Sequence, residues 1–101
     1  MKTVYAVFAD AAEAERIAGI VVEERLAACA NILSPCRSIY RWQGKVERAE
    51  EVPVLFKTVR ADALIARIAG LHSYDVPAAV AWDVVAAWPD YAAWVRQESG
   101  V

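Results

Sequence analysis

The chain has 101 residues, 58% of them apolar, and a formal charge of -2 from 11 Lys+Arg against 13 Asp+Glu. That length supplies one core and not two, so residues 1–101 are read as a single domain. A nearly balanced charge provides no broad positive field for phosphate backbones, which argues against a nucleic-acid partner, and no run is apolar and long enough to argue for a membrane span.

The first stretch, "MKTVYAVFAD", sets Val4, Ala6 and Phe8 against Thr3, Tyr5 and Val7 before an acidic residue. It reads as a strand and not a secretion signal, so a cytoplasmic location is expected. Asp10 with Glu13 three positions on forms a capping-box-like start for a helix over about 10–27, whose apolar face is Ala14, Ile17, Ala18 and Val21. From Cys29 to Trp42 the period shortens to two, with a break at Ser34-Pro35. Gln43-Gly44 is then the turn of a hairpin that returns over about 45–59. Pro35 and Pro53 cannot donate to a ladder and predict edge positions or bulges. A second helix over 60–70 carries Leu64, Ile65 and Ile68 inward. Val80, Trp82 and Val84 alternate as a further strand, and Trp88-Pro89-Asp90 opens a last helix anchored by Tyr91, Trp94 and Val95.

The order of strands and helices predicts an α+β fold, the ferredoxin-like β-α-β-β-α-β sandwich with a long hairpin and an added C-terminal helix. Fourteen extended residues from 29 to 42 would reach about 45 Å, well beyond the ~13 Å radius of gyration of a compact domain of this size. The hairpin is therefore expected to project, and its apolar residues Tyr40, Trp42, Val46 and Phe56 to be covered by sister copies.

The run "ERLAACANILSPCRSIYRWQGKVERAEEVPVLFKT" together with "LHSYDVPA" resembles the CutA family of divalent-cation tolerance proteins. The likeness extends from the first strand to the last helix; it includes Arg25-Leu26-Ala27-Ala28-Cys29, Asn31, Tyr40, Trp42, Gly44, Glu47, Glu51, Lys57-Thr58, His72, Tyr74 and Pro77. The resemblance implies a homotrimer joined through its hairpins, with an architecture similar to PII signalling proteins. It further implies a non-enzymatic role in the response to divalent metal ions, with copper as the metal attributed to family members and no cofactor obligatory. Cys36, Ser73 and Ala78 depart from the residues the family more often has there, Gly, Pro and Glu.

Cys29 and His72 are the candidate metal ligands, a soft and a borderline donor suited to copper or another divalent ion. Seven strand steps put Cys29 and Cys36 about 24 Å apart, which excludes a disulfide between them in one extended strand. Lys57, set in the apolar "VLFKT", either snorkels to the sheet edge or enters an intersubunit cleft, where Glu51 or an anionic ligand would pair with it. The competing reading is a PII-like sensor whose intersubunit clefts, with Lys57, Tyr74 and Glu51 among their residues, take a small anionic effector or a partner protein. No nucleophile–histidine–acid arrangement or phosphate-cradling glycine loop is present, and the chain has a single His, so no enzymatic activity is expected.

Overall fold

The computed structural model describes residues 1–100. The elements in chain order are β1 (Lys2–Phe8), α1 (Ala11–Glu23), β2 (Cys29–Ile32), β3 (Cys36–Trp42), β4 (Lys45–Thr58), α2 (Ala61–Leu71), β5 (Ala79–Asp83) and α3 (Pro89–Ser99). They form one antiparallel sheet in the order β2-β4-β1-β5, with β3 pairing the first half of β4. This is the expected ferredoxin-like arrangement with an added helix. Its extents of 45 × 25 × 22 Å show the projecting arm made by β3 and the start of β4.

Strand parity decides what is buried. Val4, Ala6 and Phe8 of β1 stand in register with Phe56, Val54 and Val52 of β4, and all six turn toward α1 and α2. Ala14, Ile17, Ala18 and Val21 of α1 and Leu64 and Ile68 of α2 close the core over them. Phe56 is fully buried there, so its assignment to the subunit interface is corrected: position 56 shares the parity of the helix-covered face. Residues of opposite parity (Tyr5 and Leu55, flanked by Val80 and Trp82 of β5) form a face that neither α1 nor α2 covers.

The two breaks in β2–β3 and β4 coincide. The Leu33 amide donates to the Pro53 carbonyl at 3.0 Å, whereas the Val7 amide of the facing strand turns away to Ala78. Pro53 thus aims its missing donor at residues 33–35, where β2 has ended and β3 has not begun, so an internal strand accepts a proline without losing a bond. At the hairpin tip Trp42 pairs with Lys45, and both Gln43 (φ 50°) and Gly44 (φ 80°) take positive φ, the backbone of a tight I′ turn.

The first helix stops four residues earlier than its apolar pattern suggests. Arg25 sits at φ 62° and ends the helix in a Schellman arrangement, with its amide donating to Val22 and the Leu26 amide to Val21. Glycine usually holds that position. Here the arginine is retained by its side chain, which donates to the Gln97 carbonyl at 2.6 Å and bridges to Glu98, tying the end of α1 to α3.

Candidate functional site

The two ends of the sheet carry different chemistry. At one end, Cys29 pairs in register with Lys57, which itself faces Thr3 of β1. The Cys29 thiol lies 3.4 Å from the Tyr91 hydroxyl of α3, and both cysteines are free. That contact, together with partial burial, pushes the Tyr91 hydroxyl up to about 12. Lys57 is half-buried and forms no ion pair among the described residues.

At the other end, three polar groups fasten the loop 72–78 to the sheet. His72 has a fully buried ring stacked on Phe8 at 5.0 Å between centroids. Its Nδ1 accepts the Tyr74 amide at 3.1 Å, so Nε2 carries the proton and donates to the Val7 carbonyl at 2.7 Å. Glu13, at the start of α1, is buried and spans the same junction: Oε1 accepts the Ala9 amide and Oε2 the Ser73 amide, each at 3.1 Å. Burial alone would raise the Glu13 carboxyl; the hydrogen bonds from Ser73 and Ala9 and the neighbouring His72 ring outweigh it and hold the group below the usual carboxylate range. Finally the Tyr74 hydroxyl donates to Glu51 Oε2 at 2.8 Å. Burial and that carboxylate keep Tyr74 protonated well above the ordinary tyrosine range.

Between this loop and the hairpin arm lies a cavity of about 760 Å³. Tyr40 and Trp42 of β3, Glu51 of β4 and Tyr74 and Asp75 of the loop all face it, and no Lys, Arg or His is among its lining residues. Even parity brings Tyr40 and Trp42 to one side of the arm, and the turn places Glu51 opposite Cys36 on that same side.

The residues picked from the sequence therefore fall into two groups. Glu51 and Tyr74 meet in the cavity, with Tyr40 and Trp42 beside them and Val46 exposed on the arm. Cys29 and Lys57 belong to the opposite end. Lys57 and Glu51, six strand steps and about 20 Å apart, do not pair, which corrects that expectation. His72 is not a metal ligand either, because both ring nitrogens are spent on backbone groups, and it does not approach Cys29. No group of three or more His, Cys, Asp and Glu side chains that could hold a metal ion occurs among the described residues. The partnership of Glu13 with Ser73 and of Cys29 with Tyr91 went unread. Glu13 was visible only as a helix cap and Tyr91 only as a helix anchor.

Comparison with known proteins accounts for this architecture. The family described as CutA1 divalent ion tolerance protein matches residues 2–98. A divalent-cation tolerance protein CutA of Thermus thermophilus is 43% identical over 89 residues, covering 86% of each chain. A protein of the same description from Pyrococcus horikoshii is 42% identical over 102 residues, covering 98% of each. Among solved structures, the divalent cation tolerance protein (Cut A1) of Thermus thermophilus superposes with a TM-score of 0.93 at 38% identity, covering 99% of this chain and 100% of that one. The chain belongs to the CutA1 divalent ion tolerance protein family.

Proposed function

We propose that the protein acts without catalysis, as a homotrimer in the cytoplasm, in the response to divalent metal ions, and that it takes up copper through the Cys29 thiolate. The observation that carries the assembly is the sheet face left uncovered by α1 and α2. On it Tyr5 and Trp82 lie 6.2 Å apart between ring centroids, and Val80 and Trp82 remain 53% and 48% exposed. Exposed apolar residues on that face, beside a projecting arm with Tyr40, Trp42 and Val46 exposed, are what a sister copy would cover. A closed ring also removes the free strand edges. For copper, Cys29 supplies a soft donor at the Lys57 end of the sheet, and further ligands would come from sister copies.

Sedimentation of the purified protein with and without copper tests both halves. A mass near three times 11.1 kDa that does not depend on metal supports the trimer. Trp82→Asp is expected to break the assembly while leaving the circular dichroism of the protomer intact. Calorimetric titration with copper is expected to show binding that Cys29→Ser abolishes; unchanged binding in that variant refutes the ligand assignment.

A second reading is supported by the cavity between the arm and the loop 72–78. Its volume suits a small molecule, and its walls belong to two segments that assembly would hold in place. On this reading the trimer carries an effector there, as a sensor would.

A further inference from the structure

We propose that His72 is a pH-sensitive latch on the loop 72–78: a proton added at Nδ1 makes the ring give up the Tyr74 amide and donate to Glu13 instead, and the start of the loop comes free. The inference stands apart from the metal and effector readings. The His72 side chain has no exposed surface and Glu13 is only 8% exposed, so the surroundings of both are made within the protomer, whatever sister copies cover. The neutral ring is committed on both nitrogens: Nε2 donates to the Val7 carbonyl at 2.7 Å, and Nδ1 accepts the Tyr74 amide at 3.1 Å. A proton arriving at Nδ1 faces that amide hydrogen, so two donors meet and the bond is lost. Nε2 stays protonated in the imidazolium and keeps Val7. The rings of Phe8 and Tyr74, with centroids 5.0 and 4.8 Å away, attract the new charge. The imidazole therefore keeps its place, and the backbone at Tyr74 is what moves.

The new donor has a receiver close by. Glu13 Oε1 lies 4.0 Å from Nδ1, and closing to the ~2.8 Å of a charge-assisted bond takes a shift of about 1 Å. The same carboxylate holds the Ser73 amide through Oε2, so that shift loosens the second fastening of the loop as well. One proton thus acts on two successive amides, Ser73 and Tyr74. The other titratable groups on the elements packed against the ring are carboxylates and a phenol. Asp10 caps α1 by accepting the Glu13 amide, Glu51 of β4 accepts the Tyr74 hydroxyl, and Asp75 follows in the loop. From β1 come Val7 and Phe8, and the last turn of α2 carries no basic residue. Lys45 and Lys57 of β4 are each six strand steps from Glu51, about 20 Å, and Arg48 alternates to the other side of that strand. No cation among these elements competes with the imidazolium for Glu13.

The test is an NMR titration of the full chain from about pH 8 to about pH 5, the range in which imidazoles change charge. His72 is the only histidine, so its ring nitrogens report its protonation without ambiguity. Three signals are expected to move together: Nδ1 gains its proton, the Tyr74 amide resonance shifts, and hydrogen exchange at Tyr74 and Ser73 speeds up at least about tenfold beyond the intrinsic change of rate with pH. The amides of Val4 and Phe56, in the core strands, should keep their protection throughout. His72→Asn leaves a side-chain oxygen to accept the Tyr74 amide but cannot titrate, and its Tyr74 signal should stay constant over the same range. A Tyr74 amide that remains protected while Nδ1 is protonated overturns the proposal. So does a ring that stays neutral until the core amides lose protection, because the loop then has no release of its own. A pH step at Tyr74 that survives in His72→Asn also overturns it and assigns the step to Glu13, Glu51 or Asp75. The first two outcomes are read on the unsubstituted protein and do not depend on how the variant folds.

Discussion

Removal of the Glu13 carboxylate is the most direct probe of how the loop 72–78 is held. In Glu13→Ala the amides of Ala9 and Ser73 both lose a charged acceptor at 3.1 Å, in a place where the lost side chain was only 8% exposed. Hydrogen bonds to charged groups contribute about 1.5–3 kcal/mol each, and water reaches part of the space left behind, so the two together amount to about 2–4 kcal/mol. That is a large share of the ~5–15 kcal/mol that holds a domain of this size. The pH dependence has a definite sign. Because the folded carboxyl titrates below its ordinary value, its contribution is complete above the unfolded value of about 4.3 and is lost as the pH falls through the lowered folded value. Urea denaturation of both proteins at fixed concentration, at neutral pH and then in steps into acid, measures this directly. The difference between them should be large at neutral pH and close as the carboxyl protonates. A difference below about 0.5 kcal/mol at neutral pH, or one that grows in acid, refutes the claim that Glu13 fastens this junction.

Three further outcomes follow from the same geometry. Tyr74→Phe leaves Glu51 without its hydroxyl donor and should cost about 1–2 kcal/mol in denaturant midpoints, while removing the most delayed tyrosine from an alkaline absorbance titration. Phe56→Ala empties a fully buried ring position and should cost about 3–5 kcal/mol in denaturant midpoints; a loss below about 1 kcal/mol would put Phe56 outside the core. Cys29→Ala should return Tyr91 from about 12 toward the usual tyrosine range. Since its folded value is raised, the stability Tyr91 contributes is present below the unfolded value near ~10 and lost as the pH rises through the folded one, so the variant should be the less pH-sensitive protein in alkali.

The elements themselves were legible because each has a local cause. The α1 face is a 3.6-residue pattern, the turn is Gln43-Gly44, and Pro89 opens α3. What was not legible is set by contacts distant in sequence. "VPVLFKT" has no period to read because residues of both parities are apolar: one set enters the helix-covered core and the other forms the uncovered face. Only the register with β1 reveals that Phe56 belongs to the first set and Leu55 to the second. The end of α1 was misplaced for a related reason. An αL position filled by arginine carries no sequence signal, and the α3 groups that retain it lie more than seventy residues away.

The same cause explains why the expected groupings of Cys29 with His72 and of Lys57 with Glu51 and Tyr74 do not form. Grouping them by motif treats the antiparallel sheet as if its strands had no direction. In β1 the partner of Lys57 is Thr3, while the carbonyl that holds His72 belongs to Val7, four steps and about 13 Å along the strand. A return strand necessarily carries its early residues to the far end and its late ones back to the start, so Glu51 goes with the loop after α2 and Lys57 with the thiol of β2. The separation has a chemical consequence: the soft donor and the lysine occupy one end, and the carboxylates and aromatic rings the other. A metal bound through Cys29 and a ligand held by Glu51 and Tyr74 would therefore occupy different places on the same protomer, and substitutions at one should leave binding at the other unchanged.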